Sequence, residues 1–384
     1  MGATVTDVDA TTLRVKGTGI FGLKAPAADL DCGNSGTTMR LLTGILAAQP
    51  FQSRLIGDAS LTRRPMMRVV GPLRLRGAVI DGVPHAKKEG DLTPPLVVGP
   101  LPDGSYLKEI EYTSPVASAQ VKSAILLAGL VADVPVEVHE PAATRDHSER
   151  MLRAFGATVL SVGNGVSIKP PERLLAQPIV VPSDFSSAAF FLAAAAMTPG
   201  SELRLLRVGI NSRRTGLLQC LLAMGADIRL ENQTHQGGEP VADLHVKGTR
   251  LSGIRVPEEL VPDMIDEFPM LMVVAACAAG TTVITGAEEL RVKESDRLAS
   301  MAEGLRKLGI QVDESVDGAQ IHGGQFEGGV VDSHGDHRIA MSFAMAGFAA
   351  RGDICITDCR NVNTSFPGFA QLAAGVGLAI QVQD

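Results

Sequence analysis

A helix end, a glycine and a strand follow one another in Leu305-Arg306-Lys307-Leu308-Gly309-Ile310-Gln311-Val312. Glycine suits the left-handed position that ends a helix before an extended run. The same succession recurs at four other places, the last of them weaker: Leu73 to Ile80, Leu152 to Val159, Leu222 to Ile228 and Leu372 to Val382. Self-similarity of this kind predicts a fold made of repeated units.

A second element alternates with the first, and it consists of an Ala/Leu-rich helix, a glycine or proline break, and a strand. Its five copies are Met39 to Ile56, Val121 to Val138, Ala188 to Leu206, Met270 to Ile284 and Ile339 to Ile356. The alternation predicts six βα units with helices packed on sheets, an α/β (α+β) fold. Met1 to Val5 matches the glycine-to-strand step with no helix before it, so we expect the first unit to be incomplete.

The stretch 177–183, Gln-Pro-Ile-Val-Val-Pro-Ser, separates three units from three. Its prolines would stiffen a crossing strand. We therefore predict an N-terminal domain over residues 1–182 and a C-terminal domain over residues 183–384. The alternative is an ordinary βα loop inside one large domain.

Composition excludes several classes of protein. A net charge of −7, no tryptophan and only two tyrosines argue against a nucleic-acid-binding protein. The sequence contains no run of eighteen apolar residues, so it predicts no membrane-spanning helix. Five cysteines, an odd number without a CxxC pair, and a start that lacks a secretory signal favour the reducing cytoplasm. Basic residues that cluster in so acidic a chain would mark a site for a small anion.

Small residues lead into an apolar helix at Leu30 to Arg40 and would direct free backbone amides towards a phosphate or carboxylate. Simple N-capping by Ser35 or Thr37 is the alternative. Capping groups also open Ala-rich helices at Ser118, Asp184 and Asp336, so several helix dipoles could converge on one cleft.

Arginines cluster at residues 63–68, Arg-Arg-Pro-Met-Met-Arg, where Pro65 would take the first position of a helix. The planar guanidinium group matches carboxylate and phosphate geometry. This segment is therefore a candidate anion site, and a solvated basic turn is the alternative.

The run Leu290 to Arg297 is the most specific. On a helix, Lys293 and Arg297 would lie four residues apart on one face with Glu294 beside them, an arrangement that suits general acid/base work. A surface helix with ion pairs is the alternative. Asp266 and Glu267 stand within an apolar run, where desolvation would tune a base, although acids at a helix start also compensate its dipole. His334 and His337 lack a third ligand of matching spacing, so we predict no metal site.

Taken together, these runs resemble the 5-enolpyruvylshikimate-3-phosphate (EPSP) synthase family from near Gly2 to the end of the chain. The likeness rests on the following motifs: Gly-Asn-Ser-Gly-Thr, Arg-Pro, Ser-Ala-Gln, Ser-Ser-Ala-Ala, Ile-Asp-Glu, Arg-Val-Lys-Glu-Ser-Asp-Arg, Asp-His-Arg-Ile-Ala-Met-Ser-Phe and Thr-Ser-Phe-Pro. The resemblance implies two similar, inverse α/β-barrel-like domains, each of three βαβαββ units, which close on substrates held between them. It also implies enolpyruvyl transfer from phosphoenolpyruvate to the 5-hydroxyl of shikimate 3-phosphate with release of phosphate, without a metal or organic cofactor. The family is the target of glyphosate.

The resemblance also implies site residues. The phosphoenolpyruvate contacts would be Gly36, Arg64, Gln120, Arg297 and Arg338. The shikimate 3-phosphate contacts would be Ser118, Ala119, Gln120, Arg145, Asp266 and Lys293. Asp266 would take the proton of the attacking hydroxyl, and Glu294 would deliver and later remove the methylene proton.

Three departures from the family pattern matter. The family's Gly-Asp-Lys-Ser-x-Ser-x-x-Arg segment, whose lysine touches both substrates, is missing here and would lie upstream. The alternative function is therefore a truncated, catalytically silent homologue that binds shikimate 3-phosphate weakly or binds a partner. Ala119 replaces a second serine of many members, and Thr364 replaces a lysine of some.

A related transferase acts on UDP-N-acetylglucosamine and uses a loop cysteine where this chain has Ala59, which disfavours that reaction. We expect a cytoplasmic monomer that acts on two small anionic substrates and binds neither nucleic acid nor membrane.

Overall fold

The computed structural model describes residues 1–383, and the chain divides into two compact units, Met1–Gln177 and Pro178–Asp384. The division falls at the start of the proline-containing stretch 177–183, slightly before the limit of 182 expected from the repeats. Each unit contains several small sheets with helices packed on them.

The first unit contains ten strands and four helices. In chain order they are β1 (Thr4–Asp9), β2 (Thr12–Lys16), β3 (Leu30–Asp31), α1 (Gly36–Leu46), β4 (Ser53–Ile56), α2 (Met67–Leu75), β5 (Ile80–Pro84), β6 (Leu92–Val98), β7 (Ile110–Thr113), α3 (Ala119–Ala132), β8 (Val136–His139), α4 (His147–Ala154), β9 (Thr158–Val162) and β10 (Gly165–Lys169). A short 3₁₀ helix spans Leu61–Arg63. The sheets have the strand orders β1-β2, β3-β4-β6-β5 and β7-β8-β10-β9.

In the second unit, residues 178–383 form eight strands and seven helices. They are α5 (Phe185–Met197), β11 (Glu202–Gly209), α6 (Gly216–Ala223), β12 (Asp227–Gln236), β13 (Glu239–Lys247), α7 (Phe268–Cys277), β14 (Thr281–Ile284), α8 (Arg297–Lys307), β15 (Val312–Glu314), β16 (Ala319–His322), β17 (Gly329–Asp332), α9 (His337–Ala346), β18 (Ile354–Thr357), α10 (Val362–Ser365) and α11 (Phe369–Gly375). The 3₁₀ helices are Ser212–Arg214, Glu258–Leu260 and Glu288–Val292. The sheets have the orders β11-β13-β12, β14-β16-β15 and β17-β18.

One strand order recurs in both units. In β3-α1-β4-α2-β5-β6 and β7-α3-β8-α4-β9-β10, the first two strands are parallel, and the last two form an antiparallel hairpin that adds beside the second. In the second unit, single parallel bridges from Ser183 to Val208 and from Arg255 to Val283 occupy the place of the first strand. The structure therefore confirms the expected α/β fold class. The hairpin β1-β2 corresponds to the last two strands of such a repeat, and β17-α9-β18 to its first part.

The glycines of the repeat have the backbone conformation that the sequence predicts. They have left-handed φ angles of +103°, +102°, +89°, +95° and +88° at Gly2, Gly77, Gly156, Gly225 and Gly309. A Cβ atom would clash with the neighbouring backbone in this region, so glycine adopts the conformation with less strain than other residues. Gly377 also has a φ of +100°, but the strand expected after it does not form within residues 378–383, because no neighbouring strand pairs with them.

The helices that begin at the candidate anion loops are held together by close backbone packing. A Cβ built on Gly44 of α1 would lie 2.2 Å from the backbone oxygen of Ala124 in α3. Glycine at this position therefore lets α1 and α3 approach each other, and this approach positions the N-termini of both helices.

We expect Gly44→Ala to destabilise the first unit by about 1–3 kcal/mol, because the added methyl group overpacks a contact with backbone that cannot yield. The matched control is Gly71→Ala in α2, whose added Cβ would meet only the Met67 Cε atom at 4.0 Å. This control should be neutral or stabilising by about 0.4–1 kcal/mol. Urea unfolding of both variants checks the difference, and equal effects would contradict the packing argument.

Candidate active site

Two arginine side chains lie at the capped start of α1. Ser35 is its N-cap and accepts the Thr38 N–H through Oγ at 3.1 Å. A Cβ on Gly36 would lie 2.7 Å from Arg40 Nη1 and 3.4 Å from Arg64 Nη1. Two guanidinium groups therefore approach the backbone at the positive end of the helix dipole. Ser35 thus caps the helix, as one of the two interpretations of this loop predicts, and binding of an anion there stays a prediction.

The predicted phosphoenolpyruvate residues of the first unit are linked through Arg40. Arg40 Nη1 donates to Gln120 Oε1 at 2.8 Å, and Gln120 Nε2 donates to Thr37 Oγ1 at 2.7 Å. Arg64 Nη2 donates to Asn34 Oδ1 at 3.2 Å. The structure therefore brings Gly36, Arg64 and Gln120 to one place, although Gln120 is distant from the other two in sequence.

Positive charge is in excess at this place. Burial, followed by repulsion from Arg64 and Arg68, lowers the pKa of Arg40 to about 10 against the opposing attraction of Asp91. A buried cation surrounded by like charges is stabilised by any anion that binds between them. Arg40 ends the stretch Leu30 to Arg40, but the sequence motifs did not identify it as a site residue. Its place four residues after Gly36, on the same helix face, is the signal that could have identified it.

The expected place of Pro65 at the first turn of a helix is wrong. Helix α2 begins at Met67 with Met66 as its N-cap, and Arg63 ends the preceding 3₁₀ helix. Asp91 Oδ1 accepts the Met67 N–H at 3.0 Å, so a carboxylate from another segment satisfies the start of the helix. The Pro65 carbonyl instead accepts from Arg40 Nη2 at 3.2 Å, which ties the Arg-Pro step to the arginine cluster.

The residues expected to bind shikimate 3-phosphate in the first unit lie at two helix starts. Ser118 is the N-cap of α3, and Ala119 is the first residue of that helix. Arg145 lies in the loop between β8 and α4, just before Asp146, the N-cap of α4. The structure thus places all of them in neighbouring parts of the β7-α3-β8-α4 repeat.

In the second unit, Arg297 contacts three carboxylates. Its Nε donates to Asp336 Oδ2 at 2.8 Å, its Nη2 to Glu294 Oε2 at 2.7 Å, and its Nη1 to Asp266 Oδ1 at 3.4 Å. The Arg297 side chain is 2% exposed and that of Asp336 is fully buried. The two residues expected to transfer protons, Asp266 and Glu294, therefore share one buried cation.

The pKa values of Arg297 and Asp336 reflect this pairing. Burial by itself would lower the pKa of Arg297, but Asp336 and then Glu294 outweigh it and raise the pKa above its ordinary value. Burial would raise the pKa of Asp336, but the charge and hydrogen bond of Arg297 outweigh it and lower the pKa. Both groups stay charged across the neutral range.

The expectation that Lys293 and Arg297 share one helix face is wrong. The 3₁₀ helix Glu288–Val292 ends before Lys293, and α8 begins at Arg297 after the N-cap Asp296, whose Oδ1 accepts the Ala299 N–H at 3.0 Å. The capping aspartate thus starts a new helix between the two cations. Lys293 Nζ lies 2.5 Å from Glu289 Oε1, whereas Glu294 keeps its contact with Arg297.

Arg338 approaches the same carboxylates from the start of α9. Its backbone N–H is accepted by Asp336 Oδ1 at 2.9 Å, and its Nη1 donates to the Asp266 carbonyl at 3.1 Å. Asp336 caps the helix with one oxygen and holds Arg297 with the other.

Glu267 is buried more deeply than its neighbour Asp266, with side chains 1% and 19% exposed. Burial raises the pKa of Glu267, and the nearby Arg214 and Arg338 only partly oppose this effect. Ser186 Oγ donates to Glu267 Oε1, whereas Oε2 has no hydrogen-bond partner within residues 1–383. Asp266 is 19% exposed and is therefore open to a ligand. The sequence could not distinguish the two, because both stand in the same apolar run.

The raised pKa of Glu267 predicts a pH-dependent stability. The folded state holds this proton more tightly than the unfolded state, so its contribution weakens as the pH rises above the ordinary value of 4.5. Glu267→Gln lacks this titration. We expect the free energy of unfolding of this variant to increase relative to that of the wild type as the pH rises. The increase should be up to about 1.4 kcal/mol per pH unit until the carboxyl group of Glu267 in the folded wild type is ionised. Urea unfolding from pH 4.5 to 8 checks this, and a constant difference would contradict it.

Two further features bear on function. Within residues 1–383, no group of three or more His, Cys, Asp or Glu side chains is arranged to hold a metal ion. Among the helices described, none combines the length and the apolar character that crossing a bilayer requires.

The sequence model of the family described as EPSP synthase (3-phosphoshikimate 1-carboxyvinyltransferase) matches residues 1–372. The chain belongs to this family. A relative from Xanthomonas axonopodis pv. citri, named 3-phosphoshikimate 1-carboxyvinyltransferase, is 56% identical over 381 residues, which are 99% of this chain and 84% of the relative. A relative from Xanthomonas oryzae pv. oryzae with the same name is 55% identical, over 100% of this chain and 85% of its own.

Solved structures agree with these sequence relatives. The 2.37 Å structure of EPSP synthase from Acinetobacter baumannii has a TM-score of 0.90 and 50% identity, and the match covers 100% of this chain and 86% of that one. The family, the transferase class and the enolpyruvyl-transfer reaction of the shikimate pathway, all expected from the sequence, are thereby confirmed.

Proposed function

We propose that this chain performs the family reaction with the residues that the motifs select. Gly36, Arg64, Gln120, Arg297 and Arg338 would bind phosphoenolpyruvate. Ser118, Ala119, Gln120, Arg145, Asp266 and Lys293 would bind shikimate 3-phosphate. The observation that carries the proposal is the position of Arg297, which contacts both Asp266 and Glu294. The positive charge there holds the two carboxyl groups close together, where both could exchange protons with bound substrates.

In the first unit, the role proposed for the α1 start is to hold a phosphate or carboxylate group. Arg64 and the backbone at Gly36 supply positive charge, and Arg40 fixes the amide of Gln120 by its 2.8 Å hydrogen bond. Arginine forks and helix amides recognise anionic oxygens at fixed angles. The affinity of the chain for phosphoenolpyruvate would therefore depend on Arg40 as well as on the residues selected from the sequence.

In the second unit, the proposed chemistry has two stages. Asp266 takes the proton of the 5-hydroxyl while the hydroxyl oxygen bonds to C2 of phosphoenolpyruvate, and Glu294, which enters this stage protonated, gives its proton to the methylene carbon, which becomes a methyl group. Glu294 then removes a proton from that methyl group, the double bond reforms, the C2–O bond to phosphate breaks, and the departing phosphate takes up the proton held by Asp266. Arg297 and Arg338 would stabilise the negative charge that develops in both stages.

Phosphate release in the presence of different acceptors tests this function. The chain is mixed with phosphoenolpyruvate and either shikimate 3-phosphate or UDP-N-acetylglucosamine, and inorganic phosphate is measured over time. Release that requires shikimate 3-phosphate supports the proposal. Release with the sugar nucleotide alone would overturn it.

The proposal includes the setting of the enzyme. It places a monomer, with domains over residues 1–182 and 183–384, in the cytoplasm. Two observations support this setting: the substrates are small metabolites, and all five cysteines are free thiols, as expected in a reducing compartment. Light scattering at micromolar concentration measures the oligomeric state.

A further inference from the structure

A buried group of three charged residues lies behind the substrate-binding loops of the first unit. Lys122 Nζ is 2.9 Å from Glu140 Oε2 and 2.9 Å from Glu149 Oε1. The three side chains are 6%, 2% and 3% exposed. Withdrawing charges from water is expensive, and apolar residues of similar size often stabilise a fold as well or better. The group therefore calls for an explanation other than stability.

The stability argument is weaker still because the group is incompletely paired. One lysine faces two carboxylates, and Glu149 Oε2 is buried without a hydrogen-bond partner within residues 1–383. A buried oxygen without a partner lowers the stability that the group can contribute.

The three residues come from three segments that carry candidate site residues. Lys122 lies in the first turn of α3, two residues after Gln120. Glu140 directly follows β8 and leads into the loop that contains Arg145, and Glu149 lies in the first turn of α4. The cation of Lys122 thus ties the start of α3 to both ends of the Arg145 loop.

Glu140 uses both of its carboxylate oxygens. Oε1 accepts the backbone N–H of Ser118, the N-cap of α3, at 2.9 Å, while Oε2 faces Lys122. Thr144 Oγ1, one residue before Arg145, lies 3.0 Å from Oε1 and 2.8 Å from Oε2. One carboxylate therefore sets the orientation of the Ser118 backbone and anchors the residue that precedes Arg145.

We propose that Glu140, held in place by Lys122, is a positioning residue for the binding of shikimate 3-phosphate. This inference rests on the proposed function, which assigns Ser118 and Arg145 to that substrate. A binding residue must be held within a fraction of an ångström of its productive place, and buried charged neighbours that contact both loops provide this constraint. Glu140 itself need not touch the substrate.

The substitution Glu140→Gln tests the proposal in the chain of 384 residues. Glutamine has the same shape but only one acceptor oxygen, so it must give up either the Ser118 N–H or Lys122. We expect the Kd for shikimate 3-phosphate, measured by calorimetry, to rise about tenfold. Glu149→Gln keeps an acceptor for Lys122 and touches neither loop residue, so its Kd should rise by no more than about threefold.

Val166→Ala in the buried face of β10 is the control for stability, because it weakens the same repeat away from the loops. Its Kd should equal that of the wild type. In a sample labelled with ¹⁵N-serine, the amide proton of Ser118 should shift upfield in Glu140→Gln but not in Val166→Ala.

Each outcome decides for or against the inference. A tenfold loss confined to Glu140→Gln, together with the amide shift, supports the positioning role. An unchanged Kd in Glu140→Gln, or losses in all three variants in proportion to their loss of stability, would assign the group to folding and overturn the inference. A wild-type chain that binds no shikimate 3-phosphate would overturn the proposed function and the inference with it.

Discussion

Asp266→Asn is expected to lower kcat by about 10²–10⁴-fold, the usual contribution of a positioned general base. Asparagine keeps the size of the side chain and an oxygen that can accept from Arg297 Nη1, now at 3.4 Å. It cannot take up the proton of the attacking hydroxyl. The loss should therefore fall on the chemical step, and the fold should persist.

Steady-state phosphate release measures this effect, and calorimetry with shikimate 3-phosphate shows whether binding survives. The matched control is Asp263→Asn, which removes a carboxylate from the same segment that pairs with Arg213 at 3.7 Å. The control should keep kcat within about twofold of the wild type, since Asp263 has no part in the proposed proton transfer. A similar kcat in both variants would remove Asp266 from the role of base.

Arg297→Met is expected to destabilise the second unit by about 3–5 kcal/mol near neutral pH and to abolish turnover. The substitution leaves the fully buried Asp336 without its cation, and it removes the shared partner of Asp266 and Glu294. A buried carboxylate that has lost its cation is stabilised by protonation. The deficit should therefore shrink as the pH falls towards the pKa values of unfolded carboxyl groups.

Denaturant unfolding of the variant and the wild type between pH 4.5 and 8 measures this loss. The control is Arg291→Met, which also removes an arginine with two carboxylate partners, Asp296 and Glu314, but one whose side chain is 25% exposed. Exposed ion pairs contribute little, so the control should lose about 1 kcal/mol or less. If both variants lose the same free energy of unfolding, the burial of Arg297 does not account for its contribution to stability.

Much of the fold could be predicted from local signals. Left-handed glycines such as Gly77 and Gly309 are specified by backbone sterics, which act within one residue and need no tertiary contact. The apolar residues along the chain likewise predict the helices of the repeats. Two exceptions depend on tertiary contacts. Asp91 accepts the Met67 N–H at the start of α2, which lies after Pro65. No strand pairs with residues 378–383, so the last expected strand does not form.

By itself, the sequence determined the family, the repeat, and the side chains available for anion binding and proton transfer, because order and spacing of short motifs carry that information. Only the tertiary structure decided which of them meet: Arg40 with Gln120, Arg297 with three carboxylates, and Lys293 with Glu289. It also decided that Glu267 is buried more deeply than Asp266. Contacts and burial depend on how distant segments pack, and residue spacing along the chain does not encode that packing.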